Sequence, residues 1–145
     1  MKKVTKAFLV VFVSSLFLAS CSKDDDNNSV STSGNIVGKW EHTKDGVIVN
    51  NQEILEDYVH EAGCAKDNVE FKANNIVIST EYSSSCVANV YSQSYAKNGN
   101  TLTVTDGTDS TVLTVLQLDA NTLKVKYIDD SEGSSVTYVE VYTKG

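Results

Sequence analysis

The chain has 145 residues, with 19 acidic residues against 12 basic ones and a formal charge of −7 at pH 7. Every basic residue is a lysine. Such a surface repels nucleic acid and anionic lipid, and the absence of arginine removes the planar fork that clamps phosphate groups.

Lys2, Lys3 and Lys6 precede an apolar run from Ala7 to Leu18, the basic and hydrophobic regions of a secretory signal peptide. The run is too short to span a bilayer, which takes about 20 residues. Leu18-Ala19-Ser20-Cys21 resembles the lipobox of bacterial lipoproteins, which implies cleavage after residue 20 and acylation of Cys21. Residues 21–35 are rich in Ser, Asn and Asp without apolar period and read as a flexible acidic tether. Ser22-Lys23-Asp24-Asp25-Asp26 resembles the export tag of lipoproteins of Bacteroidetes-type bacteria; an acidic run that merely keeps the tether solvated fits equally. The expected location is the outer membrane, lipid-anchored, with display at the cell surface as the finer alternative. Loss of residues 1–20 removes three lysines and no acid, taking the charge from −7 to −7 − 3 = −10.

Lipidation of Cys21 leaves Cys64 and Cys86 as an even pair. In an oxidising compartment they are expected to form a disulfide worth about 3 kcal/mol. A metal site on the same pair lacks histidine partners.

Residues 36–145 read as one domain of all-β class. A first strand near 36–44 carries Ile36, Gly38 and Trp40 on one face, and Asp45-Gly46 is expected to turn Val47–Val49 back on it. Ile54, Leu55, Tyr58, Val59 and Ala62 recur at helical spacing, so one short helix is expected. Strands follow near 68–72, 76–82, 88–96, 101–105, 110–118, 122–128 and 135–143, where alternation of period two is punctuated by Asn-, Asp- and Gly-rich turns. Short turns favour an antiparallel up-and-down meander, and closing it into a small eight-stranded barrel removes the exposed edges.

Gly38-Lys39-Trp40, the cysteine pair and the run of hairpins ending in Tyr142-Thr143-Lys144 resemble the lipocalin-like domains of small lipoproteins in Bacteroidetes-type bacteria. The resemblance implies that the glycine lets the first strand bend and that the tryptophan plugs the barrel base. Larger lipocalins hold an arginine from a late strand over that tryptophan; this chain has none. It is also shorter than they are, so tyrosines could fill the lumen.

The side chains expected to face that lumen and contact a ligand are Trp40, His42, Phe71, Ile78, Tyr82, Tyr91, Tyr95, Val125, Tyr127 and Tyr138, with Leu102, Val104, Leu123 and Tyr142 beside them. The same residues would equally pack a barrel without a ligand. Catalysis finds little support. His60-Glu61-Ala62-Gly63-Cys64 has Cys where a zinc-protease helix needs its second His, and Ser83-Ser84-Ser85-Cys86 lacks the glycines of a nucleophile elbow. Asp106, Asp109, Asp129, Asp130 and Glu132 lack calcium-loop spacing. The expectation is therefore a monomeric, non-enzymatic binding protein without metal or cofactor. Its partners would be the membrane, through its lipid, and a small apolar or amphipathic molecule. The alternative is a structural or protein-interaction module with a filled barrel.

Overall fold

The computed structural model describes residues 30–130 and 134–145. The expected signal peptide, the acylated Cys21 and the tether as far as Ser29 lie outside the described residues.

Nine strands follow one another: β1 (Gly38–Val49), β2 (Gln52–Asp57), β3 (Asn68–Phe71), β4 (Ile76–Tyr82), β5 (Ala88–Asn98), β6 (Thr101–Asp106), β7 (Asp109–Leu118), β8 (Thr122–Asp129) and β9 (Val136–Lys144). All pairings are antiparallel, and β1 pairs with both β3 and β9, so eight strands close into a barrel. The extra strand, β2, flanks the distal half of β1. Its Glu53 pairs with Lys124 of β8, which ties the β1–β2 hairpin to the barrel wall.

The described residues contain no helix. Ile54 and Leu55 belong to β2, while Tyr58, Val59 and Ala62 lie in the loop of residues 58–67. The turn stands at Asn50-Asn51, whose φ values of 51° and 62° suit the primed two-residue hairpins that asparagine tolerates. Asp45-Gly46 instead runs through the middle of β1, where a Cβ on Gly46 would collide with the Ile54 carbonyl. Glycine is required there by close approach rather than by a turn.

A β-bulge interrupts β1 between His42 and Lys44, and it reverses which side chains face inward. Before it, Trp40 and His42 point to the lumen; after it, Asp45 opposes the inward Glu140 while Lys44 opposes Val141 on the outer face. A second bulge between Val115 and Gln117 in β7 keeps both Val115 and Leu118 inside, opposite Val125 and Leu123.

The core sits at the base. Trp40, Leu102, Val115, Leu118 and Leu123 are at most 2% exposed, each stabilising by roughly 1.5–3 kcal/mol on burial. The Trp40 Nε1–H donates to the Ile36 carbonyl at 2.7 Å, satisfying the one polar atom this buried ring carries. The chain before β1 is docked as well. Leu118 N–H donates to Ser31 O at 2.6 Å, Gly34 N–H donates to Leu118 O at 3.1 Å, and Lys97 Nζ donates to Thr32 O. The last residues of the expected 21–35 tether thus cross the base and bond to β7, so the ordered domain begins before residue 36.

At the opposite end, Cys64 and Cys86 form a disulfide with a Cα–Cα distance of 5.1 Å. It fastens the 58–67 loop to the β4–β5 turn.

Candidate functional site

Period-two alternation brings one residue in two from each barrel strand to the lumen. They do not fill it. A cavity of about 340 Å³ lies above the core, walled by Phe71 and Val77, by Leu102 and Val104, by Leu113, and by Val125 and Tyr127, with Ser79, Gln93 and Thr111 as polar interruptions. An adjoining compartment of about 420 Å³ reaches toward the 58–67 loop and is lined by His42, Asp45, Tyr58, Asp67, Asn68, Thr80 and Glu81. Val69, Ser79, Glu140 and Tyr142 belong to both linings, so they stand where the two meet. The combination of a chamber walled by aliphatic and aromatic side chains with several convergent polar groups is that of a site for an amphipathic small molecule.

The polar wall is built on a stack of rings. His42 lies between Tyr58, at 3.9 Å between centroids, and Tyr142, at 4.7 Å. The Tyr142 hydroxyl donates to Glu140 Oε2 at 2.7 Å. Burial pushes the Tyr142 hydroxyl well above its ordinary pKa, and the Glu140 carboxylate adds to the shift. Tyr127 is pushed up to about 12, by burial first and by Glu140 second. Tyr58 is likewise raised, by burial and then by Asp67, to which its hydroxyl donates at 2.7 Å. All three tyrosines are therefore neutral donors over the physiological range.

Asp67, 7% exposed, also accepts from Tyr82 N–H at 2.8 Å. His60 Nδ1 accepts from Asp67 N–H at 3.1 Å, which leaves Nε2–H to donate to His42 O at 2.8 Å. His42 Nε2 bonds Lys44 O at 3.2 Å, and burial lowers the His42 pKa, favouring the neutral ring. Both imidazoles are committed to the backbone, as expected of histidines that hold a loop.

The structure distributes the expected ligand contacts unevenly. Phe71, Val125 and Tyr127 line the apolar chamber, and His42 the polar one. Trp40 and Tyr95 lie below the cavity in the core cluster. Tyr95 is fixed there by an edge contact with Phe71 at 5.0 Å and by its hydroxyl on Lys72 O. Tyr138 stacks on Tyr127 at 5.4 Å and borders a separate recess beside Asp129 and Val136. Tyr91 shares the inward parity of Gln93 but is 53% exposed.

Two expectations need correction. Ile78 pairs with Glu70 on the outer face, while Val77 pairs with Phe71 inside, and Tyr82 follows the parity of Ile78; neither lines a compartment. Apolar Ile76, Val77 and Ile78 occupy both faces of β4, so alternation alone does not set its phase. Glu140 was missed although its signal was present: in Tyr138-Val139-Glu140-Val141-Tyr142 it alternates in step with the tyrosines. Asp45 could not be placed without the bulge. Over Trp40, where larger lipocalins hold arginine, stands Lys144.

Among curated proteins no sequence matches the chain. An uncharacterized protein of Bacteroides eggerthii is similar in structure, with a TM-score of 0.54 at 12% identity over 77% of this chain and 100% of that one. A bovine odorant binding protein in complex with undecanal is more distant, with a TM-score of 0.46 at 14% identity over 79% of this chain and 76% of that one. The family model of the lipocalin-like domain matches residues 36–125. With well over half its length matched and the closed barrel in place, the chain belongs to the lipocalin-like domain family.

Proposed function

We propose that this protein is a cell-envelope lipoprotein whose barrel binds a small apolar or amphipathic molecule. The observation that carries the reading is the open lumen: about 340 Å³ bounded by Phe71, Leu102, Val104, Leu113 and Val125. Space of this size between apolar walls gains free energy when an apolar body replaces poorly bonded water. Binding rather than catalysis fits the two histidines: both ring nitrogens of His60 and Nε2 of His42 serve backbone groups. A barrel packed solid and used only as an interaction module finds no support in this lumen.

The anchoring rests on Leu18-Ala19-Ser20-Cys21 and the run before it. An acylated Cys21 would hold the barrel to the outer membrane, in keeping with a disulfide between Cys64 and Cys86. Native mass spectrometry with solvent extraction, on protein recovered from a bacterial periplasm from Ser22 onward, tests the binding. A stoichiometric extractable mass, or saturable uptake of an added apolar probe, is expected. A bare mass that takes up no probe would refute it.

A further inference from the structure

We infer that the cavity is selective for a cationic amphiphile, an apolar body carrying a protonated amine, and that Glu140 receives the amine. This deepens the binding function proposed above and rests on it. Four carboxylates face the upper compartment: Asp45, Asp67, Glu81 and Glu140. No lysine lines either compartment. The three ion pairs among the described residues are Lys44–Asp57, Lys66–Glu41 and Lys124–Glu53; none uses a lumen carboxylate. The lumen thus holds negative charge that the protein itself leaves without a cation.

The arrangement is built into the backbone. The β1 bulge places Lys44 outside, on Asp57, and sets Asp45 in the lumen opposite Glu140. Were the strand to alternate regularly from His42 instead of bulging at Thr43, the lysine would point inward. Lys124 and Lys126 alternate outward between Leu123, Val125 and Tyr127. His42 is the basic group that does face the site, and its burial favours the uncharged ring.

Glu140 occupies the junction, with the apolar chamber on one side and the acidic compartment on the other. Tyr142 uses one of the roughly four acceptor positions of a carboxylate. A ligand whose chain fills the space between Phe71, Leu102 and Val125 would bring its head to this carboxylate. Clefts lined by one sign of charge against low-dielectric walls focus the field, drawing in cations and repelling anions. A fatty acid would meet repulsion at the same point.

The test is calorimetric titration of the folded protein at pH 7.5 and low salt with decylamine, decanol and decanoate, which share one chain and differ in head charge. Decylamine is expected to bind at least tenfold more tightly than decanoate, with decanol between them. Glu140→Gln, nearly equal in shape, is expected to narrow the amine-to-acid ratio several-fold. Should Glu140→Gln not fold, Asp45→Asn reads the same ratio and is expected to narrow it. Decanol binding with decanoate equal to or tighter than decylamine would overturn the selectivity alone. An unchanged ratio in the folded variant would overturn the role of its carboxylate. Failure of all three ligands to bind would overturn the binding function and this inference together.

Discussion

Lys144 Nζ stands 4.1 Å from the centroid of the Trp40 ring and donates to the Val37 carbonyl at 2.8 Å. Trp40 and Lys144 are cross-strand partners, so one residue pair joins the first barrel strand to the last and closes the base. The cation over the ring should contribute about 0.5–1 kcal/mol. Lys144→Met keeps the apolar stem and loses the charge, and is expected to lower the melting temperature by a few degrees; Lys144→Arg should preserve it. Thermal denaturation of the two variants beside the parent decides this, and equal losses in both would rule out the cation as the cause.

The Cys64–Cys86 bond closes a sequence separation of 22 residues. Its removal in a Cys64→Ser, Cys86→Ser variant is expected to cost about 3 kcal/mol, chiefly by loosening the unfolded chain. Urea unfolding measures the loss. Mass spectrometry of the unreduced protein should find neither thiol free to alkylate.

The barrel was legible because polar-apolar alternation and turn chemistry agree along most of the chain. Leu123, Val125 and Tyr127 alternate with Thr122, Lys124 and Lys126, and Asp119, Asn121 and Gly107 stand where strands end. The second strand was not legible. Ile54, Leu55 and Tyr58 happen to fall at helical spacing, whereas pairing with Val47–Val49 across Asn50-Asn51 decides the outcome, and that pairing is a long strand's property rather than a window's. Within the site, Phe71 and Val125 follow from alternation. Asp45 and Val77 do not: one depends on a bulge, the other on which neighbour β4 selects.

Burial lowers the His42 pKa, with the neighbouring His60 acting in the same direction and Glu140 and Asp45 opposing it. The unfolded value is near 6.5, so the unfolded chain binds the proton first. Stability from this residue is complete above about pH 6.5 and is lost as pH falls through the lower folded value. Proton NMR should show His42 titrating below 6.5. His42→Gln should shrink the fall in urea midpoint between pH 7.5 and pH 5; an equal fall in both proteins would contradict the assignment.

The proposed acylation of Cys21 makes a simple genetic prediction. Cys21→Ala should abolish incorporation of a fatty-acid label and release the protein from the membrane fraction. Continued labelling would remove the basis for the anchor.

The cavity is the centre of the account, and filling it is the most direct test. Val104 lines the apolar chamber, and Val104→Phe places a ring into that space at the cost of at most a few kcal/mol of strain. Calorimetric titration of parent and variant with decanol, a neutral ligand, should give saturable one-to-one binding in the parent and at least a tenfold loss in a variant that remains folded by circular dichroism. Binding of equal strength in both proteins would place the ligand elsewhere, and would contradict the account.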